Sequence, residues 1–201
     1  MVYMSLKIPV AHDFICPWCW VGLLQVKRLE AEFGVEFEWL GYELFPEELE
    51  WGNYAAPIPP PNKPPVPSRL DFILIADNVK LPPSNRPQKM RTFNAHEAVE
   101  YAKTEGVANA LIEKLYYAYW EEGKAINELE MLLDLGTGII TDLAAYEKAI
   151  LEKSFKHNIV GFDAEAYSKG VYNVPTYFIG GQRYAEQPYV IVRDAIVKAL
   201  G

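Results

Sequence analysis

The sequence predicts an α/β chain: strand–helix–strand, then a long helical stretch, then strand–strand–helix. Three observations carry this. An apolar strand pattern over 6–14 runs into a helical pattern that Gly34 closes, and a second strand pattern follows at once. Helical periodicities then recur through most of 70–169. Beyond them, Gly180-Gly181 separates two β-rich segments, and one more helical pattern closes the chain.

Residues 6–14 are apolar with few breakers, and Cys16 follows directly. Pro17 suits the first turn of a helix, where its missing N–H costs nothing. Trp20, Leu23, Leu24, Val26, Leu29 and Phe33 keep the helical period until Gly34 stops it. Over 35–40, Val35, Phe37 and Trp39 alternate with Glu36 and Glu38, the signature of a half-buried strand. Short links between these elements imply a parallel strand pair with a right-handed crossover. Seven prolines in 57–67 exclude a helix or central strand there and predict a stiff, extended surface loop. A lid beside the site and a Pro-X-X-Pro docking ligand are the alternatives for that loop. Helices are expected over 70–79, 92–104, 107–121, 127–135 and 141–155. Thr141 is the N-cap of the last, which turns Leu143, Tyr146 and Ile150 to one face. A short helix over 164–169 should end at Gly170. Strands over 175–179 and 182–184 flank the Gly-Gly turn, and 190–200 is helical.

With 201 residues, half of them hydrophobic and 13% aromatic, the chain can bury one full core, with room for an insertion. A net charge of −8 without a basic cluster argues against a nucleic-acid partner. No apolar run reaches the ~18 residues of a membrane span, and the N-terminal segment lacks the pattern of a signal peptide. No Asn-X-Ser/Thr acceptor occurs. The expected location is cytoplasmic.

Both cysteines, Cys16 and Cys19, belong to one Cys-X-X-Cys. That excludes a disulfide-stapled scaffold. It also argues against zinc, for which only the scattered His12, His96 and His157 would be left as soft partners. At a strand–helix junction, the positive end of the helix and its unpartnered N–H groups favour a thiolate at Cys16. Cys19, one turn on, can resolve a mixed disulfide. Pro17 stiffens the turn, and Trp18 offers an apolar face to a substrate. The bland alternative is a pair of half-buried structural thiols. Val174-Pro175-Thr176 opens a later strand with a proline, which removes a ladder donor. A cis bond there would free backbone groups for an incoming chain, and an ordinary trans proline is the alternative.

The segment Phe14-Ile15-Cys16-Pro17-Trp18-Cys19-Trp20-Val21-Gly22 resembles the active-site segment of the DsbA-like thioredoxin family, in its FrnE-like cytoplasmic branch. Residues 91–96, 118–120 and 170–176 are similar to that branch's helical insertion and cis-proline strand. The resemblance implies a thioredoxin fold with a large α-helical insertion. The thioredoxin domain would comprise 1–44 and 170–201, and the insertion 45–169. It further implies Cys16 as nucleophile, Cys19 as resolving thiol and Pro175 as the adjacent cis-proline. Pro17, Trp18, Val174, Thr176 and His96 would then contact substrate. No resident cofactor is expected, with glutathione a candidate co-substrate. The partner would be a disulfide-bearing protein or small thiol, and a homodimer is compatible with the amphipathic helices. Glu186 departs from the small residue that the family usually carries after its last strand.

The same fold family includes 2-hydroxychromene-2-carboxylate isomerases and kappa-class glutathione transferases, which carry Ser in place of Cys16 and lack the second Cys. Members of the FrnE-like branch are also described as polyketide isomerases. A glutathione-dependent isomerase of a small aromatic or polyketide substrate is therefore the alternative function. Asp13 could tune the thiols or cap the turn. His96 could face the cleft or sit partly buried against backbone. Tyr116, Tyr117, Tyr119 and Trp120 read as packing residues. Glu43, Glu47, Glu48 and Glu50 read as a solvated acidic edge.

Overall fold

The computed structural model describes residues 6–46, 66–83, 86–87 and 90–201. Most of the proline-rich 57–67 stretch, together with Glu47, Glu48 and Glu50, lies outside the described residues. Five strands form one sheet in the order β3-β2-β1-β4-β5. Strands β1 (Lys7–His12) and β2 (Glu36–Glu43) are parallel, with Val10 opposite Trp39. Helix α1 (Pro17–Phe33) connects them, and Gly34 ends it in the left-handed region at φ 65°. Strand β4 (Thr176–Ile179) runs antiparallel to β1, and β5 (Gln182–Ala185) antiparallel to β4. Gly180 and Gly181 both have positive φ, as a two-residue turn matched to the strand twist requires. Helix α8 (Tyr189–Leu200) packs against β4.

The rest is mostly helical: α2 (Arg69–Asp77), α3 (Phe93–Thr104), α4 (Ala108–Trp120), α5 (Leu129–Gly136), α6 (Leu143–Glu152) and α7 (Ala164–Ser168). Ser68 and Asp71 form a reciprocal capping box that starts α2. Strand β3 (Val160–Gly161) was not legible in the sequence, because two residues carry no periodicity. It pairs in parallel with the far end of β2, at Tyr42 and Glu43.

Three local expectations need correction. The N-cap of α6 is Asp142, whose Oδ1 accepts from Ala145 N at 2.9 Å, whereas Thr141 N donates to the Glu105 carboxylate. The buried face of α6 is Tyr146, Ala149 and Ile150; Leu143, in its first turn, stays exposed. Glu43 is not a solvated edge either. It is 2% exposed, and its carboxylate takes a bidentate pair from Arg91 (3.0 and 2.8 Å) plus the backbone N–H groups of Thr92 and Phe93. Those four donors satisfy a charge that burial would otherwise penalise by several kcal/mol. They also moor the start of α3 to the end of β2.

The core runs continuously from the sheet through α1 into α3 and α4. Trp120 and Tyr116 of α4, both fully buried, reach the turn between β1 and α1. Trp120 Nε1 donates to Phe14 O at 2.8 Å, and Tyr116 Oη donates to Asp13 O at 3.3 Å. The helical segment thus fixes the backbone just ahead of Cys16.

Candidate active site

Cys16 is the N-cap of α1, in extended backbone (φ −76°, ψ 121°), with Pro17 at the first helical position. Its carbonyl accepts from Cys19 N and Trp20 N at 3.0 and 3.1 Å, so the Cys-X-X-Cys forms the first turn of the helix. Both cysteines are free thiols. Cys16 Sγ donates to Val174 O at 3.3 Å, across 158 residues of sequence. The Val174–Pro175 bond is cis. Pro175 lies against α1 at Gly22, where a Cβ would come within 3.1 Å of Pro175 Cγ and 3.2 Å of Tyr177 Oη. Glycine at this position therefore lets the strand approach the helix closely.

The two sulfurs differ in surroundings. Cys19 is fully buried and accepts a long contact from Asp13 N–H at 3.5 Å. Burial pushes its thiol well up from the ordinary range, and the neighbouring Cys16 adds to this by hydrogen bond and by charge. Cys16, 5% exposed, stands at the helix's first turn.

Behind them lies a buried polar cluster. His12 Nδ1 and Tyr116 Oη are 2.9 Å apart. Since Tyr116 donates to Asp13 O, both bonds form together only if His12 carries its proton on Nδ1. His12 is driven well below the usual imidazole range, first by burial and then by His96 and Lys103. Asp13 Oδ2 accepts from Leu44 N at 2.7 Å, while its Oδ1 is 3.6 Å from His96 Nε2. Asp13 therefore acts as the turn-forming residue, tying the β1–α1 turn to the end of β2. The sequence offered one sign of this cluster, a histidine inside an apolar strand. Tyr116 carried no sign of it.

Of the expected site residues, Cys16, Cys19, Val174 and Pro175 come together. Pro17 and Trp18 are half-buried at the rim, with the Arg69 guanidinium 5.3 Å from the Trp18 ring centre. Val174 and Thr176 are buried and offer backbone rather than side chain, the Thr176 hydroxyl being engaged by Asn173 O at 2.6 Å. His96 does not face a cleft. It is 1% exposed, held against Gly41, where even a Cβ would lie 2.9 Å from its Nδ1, and among the described residues the ring makes no backbone bond. Glu186 finds its use here. It adopts φ 48°, its N–H donates to Pro175 O at 2.9 Å, and its carboxylate pairs with Arg69 at 3.2 Å.

A second network, missed in the sequence, holds α2 beside α1. Gln25 Nε2 donates to Asp77 Oδ2 at 2.5 Å, Tyr177 Oη donates to Gln25 Oε1 at 2.8 Å, and Tyr189 N donates to Asp77 Oδ1 at 2.9 Å. Among the described residues no three His, Cys, Asp or Glu side chains converge as a metal site would need. No helix among them is long and apolar enough to cross a membrane.

The sequence profile of the DSBA-like thioredoxin domain matches residues 7–195. The chain belongs to this family. A relative within reach by sequence is the uncharacterized protein YwbO of Bacillus subtilis (strain 168), 24% identical over 186 residues and 88% of each chain. Three solved structures share the DSBA-like fold at low identity. One is a probable DsbA oxidoreductase from Streptomyces coelicolor (TM-score 0.70, 21% identity, 98% of this chain and 91% of that one). Another is a 2-hydroxychromene-2-carboxylate isomerase (0.67, 16%, 96% and 95%). The third is the cytosolic disulfide reductase DsbM from Pseudomonas aeruginosa (0.66, 18%, 96% and 100%).

Proposed function

We propose that this chain is a cytoplasmic thiol–disulfide oxidoreductase of the FrnE-like branch, working through the Cys16-Pro17-Trp18-Cys19 dithiol. Cys16, as thiolate, attacks one sulfur of a substrate disulfide, forming a mixed disulfide and releasing the first substrate thiolate. Cys19 then gives up its proton and attacks Cys16 Sγ. This closes a Cys16–Cys19 disulfide and releases the second thiol. The substrate gains two electrons and the dithiol loses two; an external thiol, glutathione being the natural candidate in a reducing compartment, returns them. The observation that carries this reading is the asymmetry of two thiols on one helical turn. One is the N-cap residue, against the Val174 carbonyl; the other is fully buried and held in its protonated form. Pro17 and Trp18 form the substrate-facing rim, and the 174–176 backbone receives an extended substrate segment.

Cys16→Ser is expected to abolish dithiol exchange, and Cys19→Ser to leave a mixed disulfide that can be trapped with substrate. Full exchange activity in Cys16→Ser would overturn the mechanism. The likeness to the chromene-carboxylate isomerase supports a second reading, glutathione-dependent isomerisation, which needs one thiol at most. Isomerase turnover undiminished in Cys19→Ser, with no trapped intermediate, would favour it.

A further inference from the structure

The exchange cycle leaves one proton unplaced. Cys19 is fully buried, so the proton it gives up on attacking Cys16 Sγ has no direct way into water. Seven buried side-chain atoms find no partner among the described residues, and five of them belong to His12, Asp13, Thr92 and His96. These four residues lie together: the His12 and His96 rings are edge-on at 5.2 Å, and Thr92 is one turn before His96 on α3. Such a concentration of unpaired groups points to one shared use. Asp13 reaches the buried thiol, its N–H standing 3.5 Å from Cys19 Sγ. Its carboxylate is half used: Oδ2 takes Leu44 N at 2.7 Å, whereas Oδ1 faces His96 Nε2 across 3.6 Å. That gap is too wide for a hydrogen bond. A proton placed on Nε2 turns the facing atoms into a charge-assisted pair after a movement of less than about 1 Å. Burial disfavours a lone carboxylate oxygen and an unpaired imidazole alike, and the added proton answers both.

We infer that His96, braced by Asp13, receives the Cys19 proton at the resolving step. The inference rests on the exchange chemistry proposed above. In the mixed disulfide the Cys19 S–H bond breaks and its proton goes to His96 Nε2. The sulfur electron pair forms the bond to Cys16 Sγ, and the substrate sulfur leaves as a thiolate. The chain is left with an imidazolium against the Asp13 carboxylate, which passes the proton to the medium before the next turnover. His12 is unfit for this part. Its Nδ1 is spent on Tyr116, and burial, with His96 and Lys103 nearby, drives it well below the usual imidazole range. The other charged groups of this region are engaged: Glu43 of β2 by Arg91, Glu97 of α3 by Phe155 N, and Glu100 by Lys103 and Asn158. Tyr116 of α4 is tied to His12 and to the Asp13 carbonyl. Moving the proton inside the chain has a kinetic signature. A thiolate made by losing its proton to water gains about tenfold in population with each pH unit below its pKa. A thiolate made by passing the proton to His96 keeps the same total of protons, so its population is level with pH while the imidazole is otherwise neutral.

The test mixes the reduced chain with an aryl disulfide whose thiolate absorbs visible light, by stopped flow between about pH 6 and 8. The first equivalent of thiolate released reports attack by Cys16, and the second reports resolution by Cys19. The second phase is expected to be nearly level with pH in the parent. In His96→Gln, and in Asp13→Asn, which keeps an acceptor for Leu44 N, it should rise about tenfold per pH unit. At about pH 6 the variants then resolve about tenfold to a hundredfold more slowly than the parent. A histidine needed only for folding would lower the active fraction and leave the slope as it was. A parent second phase that rises about tenfold per pH unit overturns the inference with no variant needed. A level second phase in either folded variant overturns it as well, and leaves the exchange chemistry standing. A parent that releases the first equivalent and never the second overturns the exchange chemistry, and the inference with it.

Discussion

Tyr116→Phe removes a single oxygen from the centre of the cluster behind the two thiols. No cavity larger than that oxygen forms, so the change isolates hydrogen bonding from packing. Two buried groups lose their partner: the His12 Nδ1 proton, which donates to Tyr116 Oη at 2.9 Å, and the Asp13 carbonyl, which accepts from it at 3.3 Å. His12 is fully buried, and its Nε2 already finds no partner among the described residues, so neither tautomer rescues the ring. Leaving a buried polar group unpaired costs about 1–3 kcal/mol, and the loss here is on the order of 2–4 kcal/mol because the Asp13 carbonyl still accepts from Cys16 N at 3.3 Å. Urea denaturation followed by tryptophan fluorescence reads this directly. With a slope of about 2–3 kcal/mol per molar, the midpoint should fall by roughly 1 M at unchanged slope. A midpoint within about 0.2 M of the parent would show that the tyrosine packs without bonding and would refute this reading of the cluster.

Acid should destabilise the chain through His12. The folded chain holds this imidazole well below its ordinary value, while the unfolded chain takes up a proton near pH 6.5. Stability is therefore full above about pH 6.5 and is lost as pH falls toward the depressed folded value, at up to about 1.4 kcal/mol per pH unit. A series of urea midpoints between pH 5 and 7 measures this slope, which His12→Asn should lack; equal slopes would contradict the assignment. Glu43→Ala leaves Arg91 and two backbone donors without their shared carboxylate. With two backbone donors losing their acceptor and the part-exposed Arg91 losing a charge partner, it should cost about 2–4 kcal/mol and lower the thermal midpoint by several degrees. A shift below one degree would return Glu43 to the surface role that its sequence context suggests.

That misreading of Glu43 shows where the sequence was legible and where it was not. Elements set by local periodicity were plain: β1, α1 with its Gly34 stop, the alternation of β2, and the Gly180-Gly181 hairpin all lie close to their expected bounds. So was the setting of Cys16 at the strand–helix junction, since Pro17 and the apolar strand before it are local signals. Features that depend on partners far along the chain were not legible. Glu43 reads as one more acidic residue until Arg91, 48 positions on, is seen to clasp it. His96 reads equally as a cleft residue or a buried one until Gly41 and Asp13 are seen to enclose it. Strand β3 exists because Val160 and Gly161 fall beside Tyr42 and Glu43, not because of any pattern of their own. The juxtaposition of Cys16 with the Val174 carbonyl could be anticipated only through the family resemblance, since 158 residues separate them.

The central claim is that Cys16 and Cys19 cycle as a redox pair, and the most direct measurement is their thiol–disulfide equilibrium. The chain is equilibrated across ratios of reduced to oxidised glutathione, quenched, and its free thiols counted by gel shift with a bulky alkylating reagent. The account predicts a reversible two-electron transition between zero and two free thiols, with a potential between about −270 and −120 mV. Two thiols that never pair, or a lasting glutathione adduct on Cys16 alone, would contradict it.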